Sequence, residues 1–171
     1  MQTSKKGLEL IKRYESLHDG DLRKLGLQPK QDPIGIWTCG YGHGLKDING
    51  KWLKGLEGYQ RMLEIYPDLE TITEEEANNL LKEDLEIFES QLNSLNLKLQ
   101  QHQYDALISF IFNCGFGNFL SSTLLRRIRG SFGSVSDAFL MWNKSDGKVL
   151  KGLTNRRNTE AVLYEYGELK F

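Results

Sequence analysis

The chain has few cysteines and no long apolar run, and each absence excludes a class of protein. Its 171 residues include only Cys39 and Cys114, whose wide spacing fits neither a zinc site nor a disulfide framework, so we expect two small buried side chains. No segment is apolar enough for a secretory signal or a membrane span. We therefore expect accumulation in the cytoplasm of the cell that makes the protein, without stable membrane insertion.

The net charge of the chain is close to zero, and the common cofactor-binding motifs are absent. The 22 Lys and Arg residues nearly balance the 23 Asp and Glu residues, and no dense basic stripe is present, which predicts no nucleic-acid partner. There is no phosphate-binding glycine loop, no Gly-x-Ser-x-Gly elbow and no cluster of His and Cys ligands. The sequence therefore predicts neither a metal nor a cofactor.

The order of local patterns predicts the architecture. The length favours a single domain over residues 1–171. A first amphipathic helix is expected at about 4–15, a small β lobe at about 16–70 and a helical lobe at about 71–171. The expected fold is α+β, mostly α, with a small antiparallel sheet in one lobe, a larger helical lobe and a cleft between them.

The β structure is expected in a short stretch. In "DPIGIWTCGYGHG", residues 32–44, Asp32 stands at the first position of a type I turn, and an alternating segment follows it. Asn49 and Gly50 predict a hairpin turn between two short strands. Residues 32–54 are thus predicted to form the only sheet.

The helical lobe carries its own start and stop signals. Thr73 and Glu76 have the spacing of a capping box, and Gly115 and Gly117 are expected to end a helix that is apolar nearly all round. The motif "KSDGK" predicts a turn between the last two helices. Shorter helices are expected near 122–129, 135–143 and 154–166.

Carboxylates are the remaining candidates for chemistry. Glu15 ends the first predicted helix, and Asp19, Asp21 and Asp32 lie between that helix and the sheet. Two carboxyl groups across a cleft, one donating a proton and the other serving as base, nucleophile or charge stabiliser, are typical of glycoside hydrolases. The pattern by itself leaves the choice among the three aspartates open.

Five segments in order resemble one protein family. They are "LIKRYESL", "DPIGIWTCGYGHG", "TITEEEANNLLKEDL", "HQYDALISFIFNCGFGNFLSSTLLRRI" and "GLTNRRNTEAVLYEYGE". Together they resemble the phage-type lysozymes, also called endolysins or muramidases, over nearly the whole chain. The resemblance implies a lysozyme-like fold and hydrolysis of the β-1,4 bond between N-acetylmuramic acid and N-acetylglucosamine in bacterial peptidoglycan, for host cell lysis by a phage.

The resemblance also implies roles for individual residues. Glu15 corresponds to the general acid, and Asp32 and Thr38 correspond to the pair that holds or activates the attacking water. The gap between Glu15 and Asp32 is longer than in most family members, and the inserted segment "HDGDLRKLGLQPKQ" brings Asp19 and Asp21 as rival bases. We favour Asp32 because of its turn position and its spacing to Thr38.

Other residues are expected to support Glu15, Asp32 and Thr38 without taking part in the reaction. His43, in "GYGHG", is predicted to support local structure rather than to catalyse. Trp52, Tyr59 and Asp21 are weaker candidates for substrate binding, and ordinary packing is the simpler explanation of the two aromatic side chains. The insertions at 16–31 and 49–70 have no predicted role.

Alternative functions remain open at this level. A lytic transglycosylase acting on the same substrate, a catalytically inactive peptidoglycan-binding protein or a bacterial toxin would share this sequence pattern. The expected partner is peptidoglycan, and action on the wall in the periplasm would depend on a holin. A monomer is expected, since no coiled-coil seam is present.

Overall fold

A computed structural model describes all 171 residues, Met1 to Phe171. It is mostly helical with two small antiparallel sheets, which confirms the predicted α+β class. The helices are α1 Lys5–Glu15, α2 Gly55–Ile65, α3 Glu74–Ser94, α4 Gln101–Cys114, α5 Phe116–Ser121, α6 Thr123–Ile128, α7 Val135–Leu140 and α8 Lys151–Tyr166, with a single 3-10 turn at Pro67–Leu69. The strands are β1 Lys30–Gln31, β2 Trp37–Cys39, β3 His43–Gly44, β4 Lys144–Ser145 and β5 Lys148–Val149.

The chain divides into two compact units. The larger unit comprises Met1–Tyr14 and Leu85–Phe171, and the smaller comprises Glu15–Asp84, so that the boundary falls inside α3. The interpretation as a single domain stays a prediction. No helix combines the length and the apolar character needed to cross a membrane.

The sheet of the small unit is short and antiparallel. Its strand order is β1-β2-β3, with Thr38 of β2 paired to Lys30 on one side and to Gly44 on the other. The predicted turn at Asn49 and Gly50 is present, but the strands expected on either side reduce to a single isolated bridge. After this bridge the chain forms α2 from Gly55, a helix that the sequence pattern does not predict.

The core of the large unit is built around α4. Its residues from Tyr104 to Ile111 are all buried, as the apolar pattern predicts. The ring of Phe110 lies edge-on to the rings of Phe119, Phe139 and Trp142, with centroids 5.5–6.2 Å apart. Such T-shaped contacts add to the area that each aromatic ring buries.

Three expectations about the helical region are wrong in detail. Gly115 ends α4 with φ +86°, but Gly117 lies inside the following helix α5 rather than stopping one. The "KSDGK" segment does turn, yet β4 and β5 flank it, so the sheet at 32–54 is not the only one. Cys39 is buried as expected, whereas Cys114 is only partly buried.

Side chains cap the first turns of two helices, and the cap at α3 is the one that the sequence predicts. The Ser4 hydroxyl accepts the backbone N–H of Lys6 at 3.2 Å and caps α1. At α3, the Thr73 hydroxyl accepts the Glu76 N–H at 3.2 Å, and the Glu76 carboxylate accepts the Thr73 N–H at 2.7 Å. This reciprocal capping box satisfies donors that a helix start otherwise leaves unpaired.

An ionic cluster is sealed inside the large unit. Glu160 of α8 is fully buried, and its carboxylate accepts hydrogen bonds from the Ser109 hydroxyl at 2.7 Å and from Arg156 at 3.2 Å. The guanidinium of Arg157 forms an ion pair with the same carboxylate at 3.0 Å and lies 4.9 Å from the ring centre of Phe110. Two guanidinium groups and the Ser109 hydroxyl therefore share one buried carboxylate.

Replacing Glu160 with Gln is expected to lower the free energy of unfolding by about 3 kcal/mol or more, because it removes the carboxylate that pairs with the fully buried Arg157 guanidinium. Urea unfolding followed by circular dichroism measures the change. Glu86→Gln, at an exposed position of α3, is the control and is expected to stay within about 0.5 kcal/mol of the parent. Equal stabilities for the two variants would contradict the importance of the cluster.

Candidate active site

Asp32 is held in one orientation by its own turn. Its backbone carbonyl accepts the Gly35 N–H at 3.0 Å, which confirms the predicted turn, and its Oδ1 accepts the N–H groups of Ile34 at 2.9 Å and Ile36 at 2.8 Å. The other oxygen, Oδ2, receives no donor from the protein, and the residue is partly exposed. The turn thus leaves one carboxylate oxygen able to accept a hydrogen bond from a ligand.

Thr38 occupies the middle of β2, opposite Lys30 of β1. The residue is only 5% exposed, and its hydroxyl donates a hydrogen bond to the Lys30 carbonyl at 2.9 Å. A threonine hydroxyl carries one proton and two acceptor lone pairs. With that proton committed to Lys30, Oγ1 can only accept further hydrogen bonds.

His18 is a site residue that the sequence analysis missed. Its Nδ1 lies 3.2 Å from the Thr38 hydroxyl, and its backbone N–H donates to the Gly40 carbonyl at 2.8 Å. Burial, and then the Lys30 ammonium, lower the pKa of His18 below its ordinary value of 6.5, although nearby carboxylates oppose the shift. The sequence signal for it is a histidine three residues after the candidate acid, inside the inserted segment.

Glu15 is the last residue of α1 and is partly exposed. Ser16, with φ +62°, takes the left-handed conformation that commonly ends a helix, and the chain turns there towards His18. Glu15 and Asp32 both lie close enough to His18 to raise its pKa. The charges of the predicted acid and of the predicted base therefore act on the same imidazole in the small unit.

The rival aspartates have other partners. Asp21 forms a bidentate pair with Arg23, at 2.9 and 3.2 Å, and this hydrogen bonding lowers the pKa of Asp21. Asp19 accepts the backbone N–H of Asp21 at 3.1 Å. Both carboxylates thus serve the inserted segment itself, and neither is among the charges that act on His18.

The aromatic candidates pack within the small unit. The ring of Tyr59 lies 4.8 Å from that of Trp37, and the Lys46 ammonium sits 4.2 Å above the ring of Trp52. Trp52 also lines an open groove of about 740 Å³ that is otherwise mostly charged. These contacts favour the packing explanation, and sugar binding by Trp52 or Tyr59 stays a prediction.

His43 forms an ion pair beside the hairpin. Its Nδ1 lies 2.8 Å from Asp84 Oδ1, and this hydrogen bond raises the pKa of His43 against the opposing effect of burial. The pair links β3 to α3, which agrees with the structural role predicted from the sequence. No group of three or more His, Cys, Asp or Glu side chains is arranged to hold a metal ion.

Comparison with known proteins identifies the class. The chain is 30% identical to the endolysin from Escherichia coli O157:H7 phage FAHEc1, with a TM-score of 0.73 over 100% of this chain and 98% of that one. It is 32% identical to the muramidase domain of SpmX from Asticaccaulis excentricus, with a TM-score of 0.71 over 96% and 97% of the two chains. The fold is therefore that of the lysozyme-like endolysins.

The family follows from the sequence match. The model of the phage lysozyme family matches residues 22–160, and the chain belongs to that family. The endolysin of Bacillus phage B103 is 34% identical over 172 residues, which cover 99% of this chain. The chain spans only 56% of the length of that relative.

Replacing Asp84 with Asn is expected to destabilise the protein by about 1–2 kcal/mol near pH 5.5 and by less near pH 8.5. The folded pKa of His43 is raised above its unfolded value of 6.5, so the contribution of the pair is fully present below that value and is lost as the pH rises through the folded pKa. Urea unfolding at both pH values measures the difference. A destabilisation independent of pH would show that the pair carries no charge, and Glu86→Gln again serves as the control.

Proposed function

We propose that this chain is a peptidoglycan muramidase, which hydrolyses the β-1,4 bond between N-acetylmuramic acid and N-acetylglucosamine. The observation that carries the proposal is that the charges of Glu15 and Asp32 both act on His18, the imidazole that is hydrogen-bonded to the Thr38 hydroxyl. Membership of the phage lysozyme family and the similarity to a muramidase domain support it.

In the proposed mechanism Glu15 is the general acid. It donates its proton to the bridging oxygen as the bond from that oxygen to the anomeric carbon breaks. A water molecule attacks the same carbon and loses a proton to Asp32. Atoms and charge balance, and no cofactor is needed.

Asp32 and Thr38 would orient that water through its two hydrogens. Asp32 Oδ2 has no protein donor, and Thr38 Oγ1 can only accept once its proton is given to Lys30. One hydrogen of the water would point to each oxygen, which directs a lone pair of the water at the sugar. This arrangement favours hydrolysis over transglycosylation, because a lytic transglycosylase has no attacking water to hold. We propose an inverting outcome, because the water held by Asp32 attacks the anomeric carbon directly and no glycosyl-enzyme intermediate forms.

Replacing Glu15 with Gln is expected to reduce release of reducing ends from purified sacculi by about 100-fold or more, because the proton donor is lost. Asp32→Asn is expected to reduce the release of reducing ends to a similar extent, since the amide cannot take the proton of the water. Asp21→Asn should stay close to the parent rate, because that carboxylate is paired with Arg23. Circular dichroism of each variant checks that the fold is kept.

The same assay separates the alternatives. Retained activity in Glu15→Gln would refute the muramidase assignment, and loss in Asp21→Asn would move the base into the inserted segment. Anhydro-muramyl ends together with a fully active Asp32→Asn variant would indicate a lytic transglycosylase. Binding to sacculi without any new reducing ends would indicate a binding protein.

We also propose that the biological role is lysis of a phage host, that the protein acts as a monomer, and that a holin gives it access to the wall. Expression in Escherichia coli without a holin is expected to leave culture turbidity unchanged until chloroform permeabilises the inner membrane. Rapid clearing should follow, and the Glu15→Gln variant should not clear. Spontaneous lysis before chloroform is added would contradict dependence on a holin.

A further inference from the structure

His18 is tied to the strand that carries Thr38 by two hydrogen bonds. Its backbone N–H binds the Gly40 carbonyl at 2.8 Å, and its ring Nδ1 binds the Thr38 hydroxyl at 3.2 Å. Gly40 directly follows β2, the strand of Thr38. The imidazole is therefore positioned by backbone as well as side-chain contacts.

Backbone hydrogen bonds hold the segment that contains His18 in place. The Gly20 N–H donates to the Gln28 carbonyl at 3.0 Å, and a Cβ at Gly20 would lie 2.2 Å from the Pro29 carbonyl oxygen, so only glycine fits. Further along, Leu27 exchanges two backbone hydrogen bonds with Ile72, at 2.8 and 3.0 Å. The inserted segment is thus pinned at several points, and this restricts where His18 can lie.

The hydrogen-bond pattern assigns the proton on the ring. The Lys30 carbonyl can only accept, so the single proton of the Thr38 hydroxyl lies on that bond. His18 Nδ1 must then be the donor to Thr38 Oγ1, and in the neutral ring Nε2 carries the lone pair. One lone pair of Thr38 Oγ1 receives the imidazole N–H, and one remains.

We propose that neutral His18 is a positioning residue for Thr38. Its Nδ1–H and the Lys30 carbonyl together fix the rotation of the hydroxyl, so that the remaining lone pair of Oγ1 faces the attacking water. This role rests on the proposed muramidase function and requires no contact between His18 and substrate. The inserted segment accordingly contributes a side chain to the site.

The charges near His18 affect whether its ring is neutral or charged, whereas the Nδ1–H that binds Thr38 is present in both forms. Lys30 from β1 opposes a positive ring, whereas Glu15 from α1 and Asp32 from the turn favour one. With burial the balance lowers the pKa of His18, so the ring is neutral at pH 7 and becomes charged only as the pH falls below 6.5. A charged ring would stabilise the Glu15 carboxylate and oppose its use as a proton donor.

Two substitutions separate the hydrogen bond from the bulk of the ring. Asn places an amide N–H close to the position of Nδ1 and does not titrate, whereas Leu keeps volume without a donor. His18→Leu is expected to lower kcat on soluble, uncross-linked glycan strands by about tenfold or more, with KM changed by less than about twofold. His18→Asn should stay within about threefold of the parent kcat at pH 7, and its rate relative to the parent should rise below pH 6.

Controls distinguish this role from a structural one. His102→Asn, in the large unit, should leave both kinetic constants unchanged, and thermal unfolding checks each variant. In a Thr38→Val background, His18→Leu should cause no further fall in kcat, because the residue acts through the hydroxyl. Nitrogen NMR of the parent should show the proton of His18 on Nδ1, with a changed signal in Thr38→Val.

The outcomes divide clearly. Three results would overturn the role of His18 and leave the muramidase proposal intact. They are an unchanged kcat in His18→Leu, equal losses of kcat in folded Leu and Asn variants, and an NMR spectrum that places the ring proton on Nε2. A parent protein that releases no reducing ends would refute the proposed function and, with it, the catalytic purpose of His18. If the Leu variant does not fold, the Asn variant and the NMR signal still decide.

Discussion

The antiparallel pairing of Lys30 with Thr38 is the contact on which the candidate site depends. It places the Lys30 carbonyl where it takes the proton of the Thr38 hydroxyl, and so turns that hydroxyl into an acceptor for other groups. A slip of one residue along β2 would point Thr38 to the opposite face of the sheet, because side chains alternate along a strand. The turn at Asp32 joins β1 to β2 and holds this register with its own hydrogen bonds.

The site and the helical core use charge in opposite ways. At His18, burial and the charge of Lys30 lower the pKa of the ring against two carboxylates, and the groups are partly open to water. In the large unit, Glu160 and its two arginines are sealed from water and compensate one another. A partly solvated arrangement allows protons to move during a reaction, whereas a fully buried one serves the stability of the scaffold.

The hydrogen-bond acceptors at Asp32 and Thr38 are arranged as hydrolysis by a bound water requires. Of the two oxygens proposed to hold the water, Thr38 Oγ1 has two protein partners and keeps one acceptor position, whereas Asp32 Oδ2 receives no protein donor because the turn binds Oδ1. Pre-arranged acceptors need no reorganisation when the water attacks, which is the physical basis of their value in catalysis. The inserted segment between Glu15 and Asp32 takes part through His18 rather than through its aspartates.

The sequence by itself determined the features that depend on neighbouring residues. The turn at Asp32, the capping box of Thr73 and Glu76 and the buried face of α4 follow from local chemistry, and the spacing of Asp32 and Thr38 carried the family resemblance. Tertiary structure decided what depends on distant residues: the bond from His18 to Thr38, the pair of His43 with Asp84 and the bond from Ser109 to Glu160. Those contacts join residues whose separation along the chain says nothing about their separation in space, so no local pattern could predict them.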